Sequence, residues 1–187
     1  MNHFHLKDFL ESTPFSSYLD RCWSGRYYNN TPVDESSDNP DSEQGDNVSA
    51  LLYHIYTEKL KLRCARPGRA RQLAMHLSSQ IQPDGLYLEG GHRLNDHPAQ
   101  GGAVADALGT AGYNASVIGL TETDRQTVLD ALTCMAENHP RLRFPEGAQG
   151  KTQQLRFELR VYYWMMLLSG KPVWKERFET LLANGLR

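Results

Sequence analysis

The chain is predicted to be mainly α-helical: about three consecutive antiparallel helical hairpins with extended Gly-rich loops, forming an open arc or small bundle. Three observations carry this. Apolar residues recur near 3.6-residue spacing in six successive segments after Asn47. Pro, Gly and Thr punctuate the segment ends. Similar Arg-led helix openings, Arg71-Gln72-Leu73, Arg125-Gln126-Thr127 and Arg177-Phe178-Glu179, return after 54 and then 52 residues, a period typical of stacked helical units.

Taken in order, Phe4, Leu6, Phe9 and Leu10, then Phe15, Tyr18, Leu19 and Trp23, suggest one or two short helices broken at Pro14, within a segment 1–27. Residues 28–47 are rich in Asn, Ser, Asp, Glu and Pro and read as an acidic, mobile linker with little to bury. The helical domain then covers 48–187. Its first helix spans about 48–63 through Leu51, Leu52, Ile55 and Tyr56, and Pro67-Gly68 interrupts the chain after it. The second covers about 69–81, with Leu73, Ala74, Leu77 and Ile81 on one face. The third opens at Pro98, a favoured first-turn residue, and runs to Gly112. Thr121 or Thr123 caps the fourth, whose apolar stripe is Val128, Leu129, Leu132 and Met135. The fifth, about 153–169, is the most apolar and stops at Gly170, and the sixth covers about 173–183.

Hydrophobic residues make up 40% of the 187 and charged residues 22%, which fits one globular domain. No apolar run approaches the roughly 20 residues of a membrane span, so no membrane partner is expected. No signal-like segment opens the chain, and three scattered cysteines make no disulfide framework, so the expectation is a cytoplasmic protein or one exported without a cleaved signal. The net charge of −2 hides an asymmetry. Six acids and no base lie between Asp34 and Asp46, and six bases and no acid between Lys59 and Arg71. The basic segment reads as a solvated helix face or as a surface for an anion, screened in cis by the acidic tract.

Gln82-Pro83-Asp84-Gly85-Leu86-Tyr87 closing a helix, then Gly90-Gly91 and another apolar helix, resembles the α/α-toroid families of glycoside hydrolases, polysaccharide lyases and terpene-type cyclases. Ser169-Gly170-Lys171-Pro172 before Trp174 is similar to their hairpin links. This resemblance spans roughly 48–187 and implies a carbohydrate-active domain, although such toroids close with five to seven hairpins and three are visible here. Gly101-Gly102 through Gly119 is similar instead to a helix-then-strand unit of nucleotide-binding α/β folds, with Ala115 to Leu120 as the strand, but the glycine order of that fingerprint is wrong.

The polar stretch 84–97 is the candidate catalytic segment. Asp84, Tyr87, Glu89, His92 and Asp96 combine carboxylates, a phenol and an imidazole suited to acid–base work on a glycosidic bond or uronic-acid elimination. His92, Asp96 and His97 lack metal-motif spacing, so no metal site and no cofactor are assigned. Cys22-Trp23 is similar to the Cys-Trp step of papain-like and transglutaminase-like enzymes, with His92 as a partner base, but a buried small hydrophobe is the simpler reading of Cys22. Cys64 and Cys134 are expected to pack on helices, and Tyr162, Tyr163 and Trp164 to be core. Arg63, Arg66, Arg69, Arg71, Arg141 and Arg143 are the candidate binding residues for an anionic polymer. The pI of 6.4 and the lack of a recognised motif argue against nucleic acid. Three functions follow: a non-enzymatic helical adaptor or regulator binding a protein or anionic partner, or assembling as a homo-oligomer, which ranks first; a hydrolase- or lyase-like domain using 84–97; and a cysteine-dependent effector enzyme.

Overall fold

The computed structural model describes residues 8, 11–29, 32, 46–89, 92–93, 98–138 and 147–185. Seven helices account for most of them: α1 (Thr13–Cys22), α2 (Asn47–Lys59), α3 (Arg69–Ser79), α4 (Pro98–Tyr113), α5 (Glu122–Asn138), α6 (Ala148–Ser169) and α7 (Pro172–Gly185). Between α3 and α4 lie two two-residue strands, β1 (Leu88–Glu89) and β2 (His92–Arg93), paired antiparallel. The mainly α class follows the apolar periodicity.

Helix ends follow local chemistry. Pro14 sits in the first turn of α1 rather than breaking it, because its missing N–H has no intrahelical partner there in any case. Asp46 caps α2 by accepting from Ser49 N–H at 2.9 Å. That helix stops four residues before the expected Arg63, as Lys61 turns to φ 52°. Thr121 Oγ1 accepts from Asp124 N–H at 3.1 Å and Asp124 Oδ2 from Thr121 N–H at 2.8 Å, a reciprocal cap on α5. α6 begins at Ala148, five residues before the expected start, because its first turns carry no apolar stripe to announce it.

α4 occupies the centre, packing against α2, α3, α5 and α6, while α7 packs on α6 and none of the close helix pairings involves α1. The most extensive pairing joins α4 and α6, which are not consecutive. Small residues make it possible. A Cβ on Gly101 would lie 2.9 Å from Phe157, one on Gly109 2.1 Å from Trp164, and one on Gly112 2.8 Å from Leu168. Both series ascend together, so the two helices run parallel and the glycine stripe lets large α6 side chains lie against the α4 backbone. Val104, Leu108, Leu73, Leu77, Leu132, Met135 and Val161 fill the core around them.

Three expectations are corrected. Residues 115–120 form hydrogen-bonded turns rather than a strand, with Val117 and Ile118 N–H both donating to Asn114 O, so this segment has no place in a nucleotide-binding sheet. The stretch 28–47 is not polar linker at its ends: Tyr28, Asn29 and Asn47 are buried, and Cys22 and Tyr28 join the same core cluster as Trp174. Cys64 is buried in the turn after α2, not on a helix.

Candidate functional site

The 84–97 segment begins as a tight turn pinned to α5. Gly85, at φ 80°, lies so close to α5 that a Cβ would be 3.0 Å from Cys134 O, and Cys134 Sγ donates to Gln82 O at 3.2 Å. Asp84 Oδ1 accepts from Leu86 N–H at 3.2 Å, an Asx turn. Tyr87 is buried and bridges Ile81, which makes it part of the scaffold. The ladder register sets Glu89 opposite His92. The side chains of Glu89 and His92, and the whole of Asp96, Arg141 and Arg143, lie outside the described residues. Among the described residues no group of three His, Cys, Asp or Glu side chains could hold a metal ion.

The basic segment is largely occupied by carboxylates of its own chain. Arg66 Nη2 and Arg69 Nη1 each reach Asp20 at 2.7 Å, and Arg71 Nε reaches Asp124 at 2.8 Å. Arg63 is exposed, and its backbone N–H donates to Glu11 at 2.8 Å. The Arg66 hydrogen bond, with Arg69 behind it, holds the Asp20 carboxyl below the usual range against a modest burial penalty. Asp124 is also held low: burial opposes this, and the Thr121 backbone, Arg71 and the Thr121 hydroxyl outweigh it. Arg66, Arg69 and Arg71 are thus each engaged by a carboxylate of the chain, Arg66 and Arg69 sharing the single charge of Asp20. The three repeated openings do not share a role. Arg71 bridges to α5, Arg125 meets Glu122 beside it, and Arg177 lies 4.8 Å above the Trp174 ring.

Arg69 leads into a buried network the sequence does not announce. Its Nη1 donates to Tyr28 Oη at 2.8 Å, and Tyr28 Oη lies 2.7 Å from His54 Nε2. A guanidinium only donates, so the phenol oxygen accepts from Arg69; one hydrogen and a second lone pair remain, and the contact with His54 Nε2 takes its direction from the imidazole tautomer. Asn47 fixes Tyr28 from both sides, its Oδ1 accepting from Tyr28 N–H at 2.7 Å and its Nδ2 donating to Tyr28 O at 3.2 Å. Burial first, then the Arg69 and Arg66 charges, push His54 down to about 3, so it is neutral at physiological pH. Burial pushes the Tyr28 phenol up.

This network borders a cavity of about 290 Å³ between α1 and α2, walled by Tyr18, Leu19, Cys22, Ala50 and Tyr53 and, on its polar side, Asn29, Ser49 and His54. Cys22 and His54 share the cavity but not a hydrogen bond: Nε2 belongs to Tyr28, and Nδ1 has no partner among the described residues. An imidazole held near 3 is also a weak base for activating a thiol.

A second feature lies on α6 and α7. Tyr163 and Leu167, one turn apart on α6, are exposed, as are Val173 and Leu182 on α7. Tyr163 contacts Phe178 with ring centroids 5.9 Å apart, which joins the two helices into one apolar face. A groove of about 410 Å³ adjoins it, lined by Tyr162, Val173, Arg177 and Leu181. Only part of the expected aromatic core is therefore core: Tyr162 is buried, Trp164 half-buried and Tyr163 open.

No family model, no curated protein and no solved structure matches this chain.

The sequence reading missed Asp20, Tyr28, Asn29, Asn47 and His54. One signal was available: His54 lies three residues after Leu51 and one before Ile55, on the buried stripe of its helix, where a histidine needs a partner.

Proposed function

We propose that this chain is a non-enzymatic helical adaptor or regulatory domain that docks a protein partner, or a second copy of itself, on the α6–α7 face. The observation that carries this is the joined apolar surface of Tyr163, Leu167, Phe178 and Leu182 beside a groove, on a helix whose one extensive helix pairing among the described residues is with α6. Exposed apolar area of this kind gains stability when covered, and aromatic anchors are what such interfaces use. The internal pairing of Arg66, Arg69 and Arg71 supports a protein over an anionic polymer as the partner. The hairpin arrangement belongs to the same proposal. Neighbours α2 and α3, and α6 and α7, pack together as it requires, whereas the α4–α6 pairing crosses the sequence.

The test is a photo-crosslinking amino acid at position 163, with position 113 as an exposed control on α4. Adducts with one partner or with the chain itself, formed at 163 but not 113 and lost in Leu167→Glu, are the expected result. Equal labelling at both positions, or a turnover abolished by Cys22→Ser or Asp84→Asn, would overturn the reading.

A further inference from the structure

The basic segment of the sequence finds its acids on α1. Glu11, just before that helix, accepts from Arg63 N–H at 2.8 Å, and Asp20, in its last turn, lies between Arg66 and Arg69. Asp20 Oδ2 meets Arg66 Nη2 and Oδ1 meets Arg69 Nη1, both at 2.7 Å, so one carboxylate stands between two guanidiniums. The Arg69 guanidinium also lies 4.9 Å above the Trp23 ring. Apolar packing adds less. Of the α1 side chains described, Cys22 alone is buried, and none of the close helix pairings among the described residues involves α1. Tyr18, Leu19 and Cys22 face Ala50, Tyr53 and His54 across a cavity of about 290 Å³ rather than interlocking with them. A gap of that size forfeits the dispersion that holds a packed helix down.

We propose that α1 is a releasable strap, latched across α2 by Glu11 and Asp20 on the 63–69 turn, and that its release opens the cavity and the Cys22 thiol to solvent while α2–α7 stay folded. The fixed end is Tyr28, which Asn47 clamps through both its N–H and its C=O. The joint is the exposed turn Ser24-Gly25-Arg26, with Gly25 at φ 95°. Closed, the strap leaves Cys22 only 2% exposed. Segments held by few buried apolar contacts and by solvent-facing polar ones are those that open below the global unfolding free energy.

The latch is electrostatic, and its charge count makes it sensitive. Removing the Asp20 charge loses the attachment and leaves Arg66 and Arg69 with no carboxylate between them. The Arg66 and Asp20 side chains are 35% and 36% exposed, so salt reaches the pair. Raising it from 0.1 M to 1 M cuts the screening length from about 10 Å to about 3 Å. The α4–α6 contact, made of glycines against Phe157, Trp164 and Leu168, has no such dependence. The strap is separate from the α6–α7 face and does not depend on the docking reading.

The experiment is thiol labelling of the full chain with N-ethylmaleimide under native conditions, read at Cys22 by peptide mass spectrometry, beside amide hydrogen exchange at Leu108. Leu108 is fully buried on the central helix, so its amide reports global unfolding. Cys22 is expected to label through an opening far more frequent than that of Leu108 and with a weaker urea dependence, because strap release exposes little surface. Asp20→Asn should raise the Cys22 rate about fivefold, the loss of one partly exposed ion pair. Salt at about 1 M should raise it in the wild type as well, which reads out the latch even if Asp20→Asn does not fold. Cys22 labelling that matches Leu108 exchange in frequency and urea dependence would mean that α1 opens only with the whole domain, and would overturn the proposal. A Cys22 rate unchanged by Asp20→Asn or by salt would overturn it too. Either failure would leave cross-linking at position 163 untouched.

Discussion

His54 makes the stability of the protein fall in mild acid, and His54→Gln should remove that fall. In the folded chain its pKa is about 3, against about 6.5 when solvated. The folded value is the lower one, so the unfolded chain takes up the proton first. Stability is then lost as pH falls from about 6.5 towards about 3, at a limiting slope of about 1.4 kcal/mol per pH unit. Between pH 8 and pH 5 this amounts to about 2 kcal/mol, a large share of a typical domain's stability. Gln retains an acceptor for the Tyr28 O–H and has no titration. Urea unfolding of wild type and His54→Gln at pH 8, 7, 6 and 5 gives the difference curve, which cancels carboxylates common to both. Parallel curves, or an imidazole signal from His54 titrating near 6.5, would refute the neutral, buried histidine and the network that holds it.

Other perturbations report on other parts of the structure. Gly109→Ala places a Cβ 2.1 Å from Trp164, where carbon contacts need about 3.5 Å or more, and threatens the 3.0 Å Trp164–Asp106 hydrogen bond. Set against about 1 kcal/mol of better helix propensity, the expected net loss is about 2–3 kcal/mol, or roughly 5–10 °C in Tm by calorimetry. In a Trp164→Ala background the same change should become neutral or stabilising. Asn47→Ala leaves the Tyr28 N–H and C=O without partners and should cost about 2–4 kcal/mol, with accelerated hydrogen exchange at the Tyr28 amide. Asp20→Asn should cost about 1 kcal/mol at pH 7, since the pair is about a third open to solvent. Its folded pKa is depressed, so this contribution exists above about 3.9 and fades below it, and acid-unfolding curves of the two proteins should converge there.

Helices α2 to α5 and α7 were legible because apolar spacing and caps are local signals. Pro98 and Thr121 mark real helix starts, and Gly170 marks a real end. The early start of α6 was hidden because its first turn, Ala148-Gln149-Gly150-Lys151, has no periodic apolar residue. For the site, legibility was poorer. Arg66, Arg69 and Arg71 stand out as a run of charge, but nothing near them in sequence reveals Asp20 or Asp124 as partners some 46 to 53 residues away. Tyr28 and Asn47 sit in a polar tract that reads as linker, and become core because each satisfies the other's hydrogen bonds.

The sequence by itself determined the helical class and most helix limits, since these depend on periodicity and capping over a few residues. Only the tertiary structure decided that α4 and α6 lie parallel through their glycine stripe, that Arg66, Arg69 and Arg71 pair with carboxylates of their own chain, and that His54 is a buried, neutral imidazole bordering a cavity. Those outcomes depend on which faces meet across the chain, and hydrogen-bond and charge partners are chosen by that meeting rather than by neighbours in sequence.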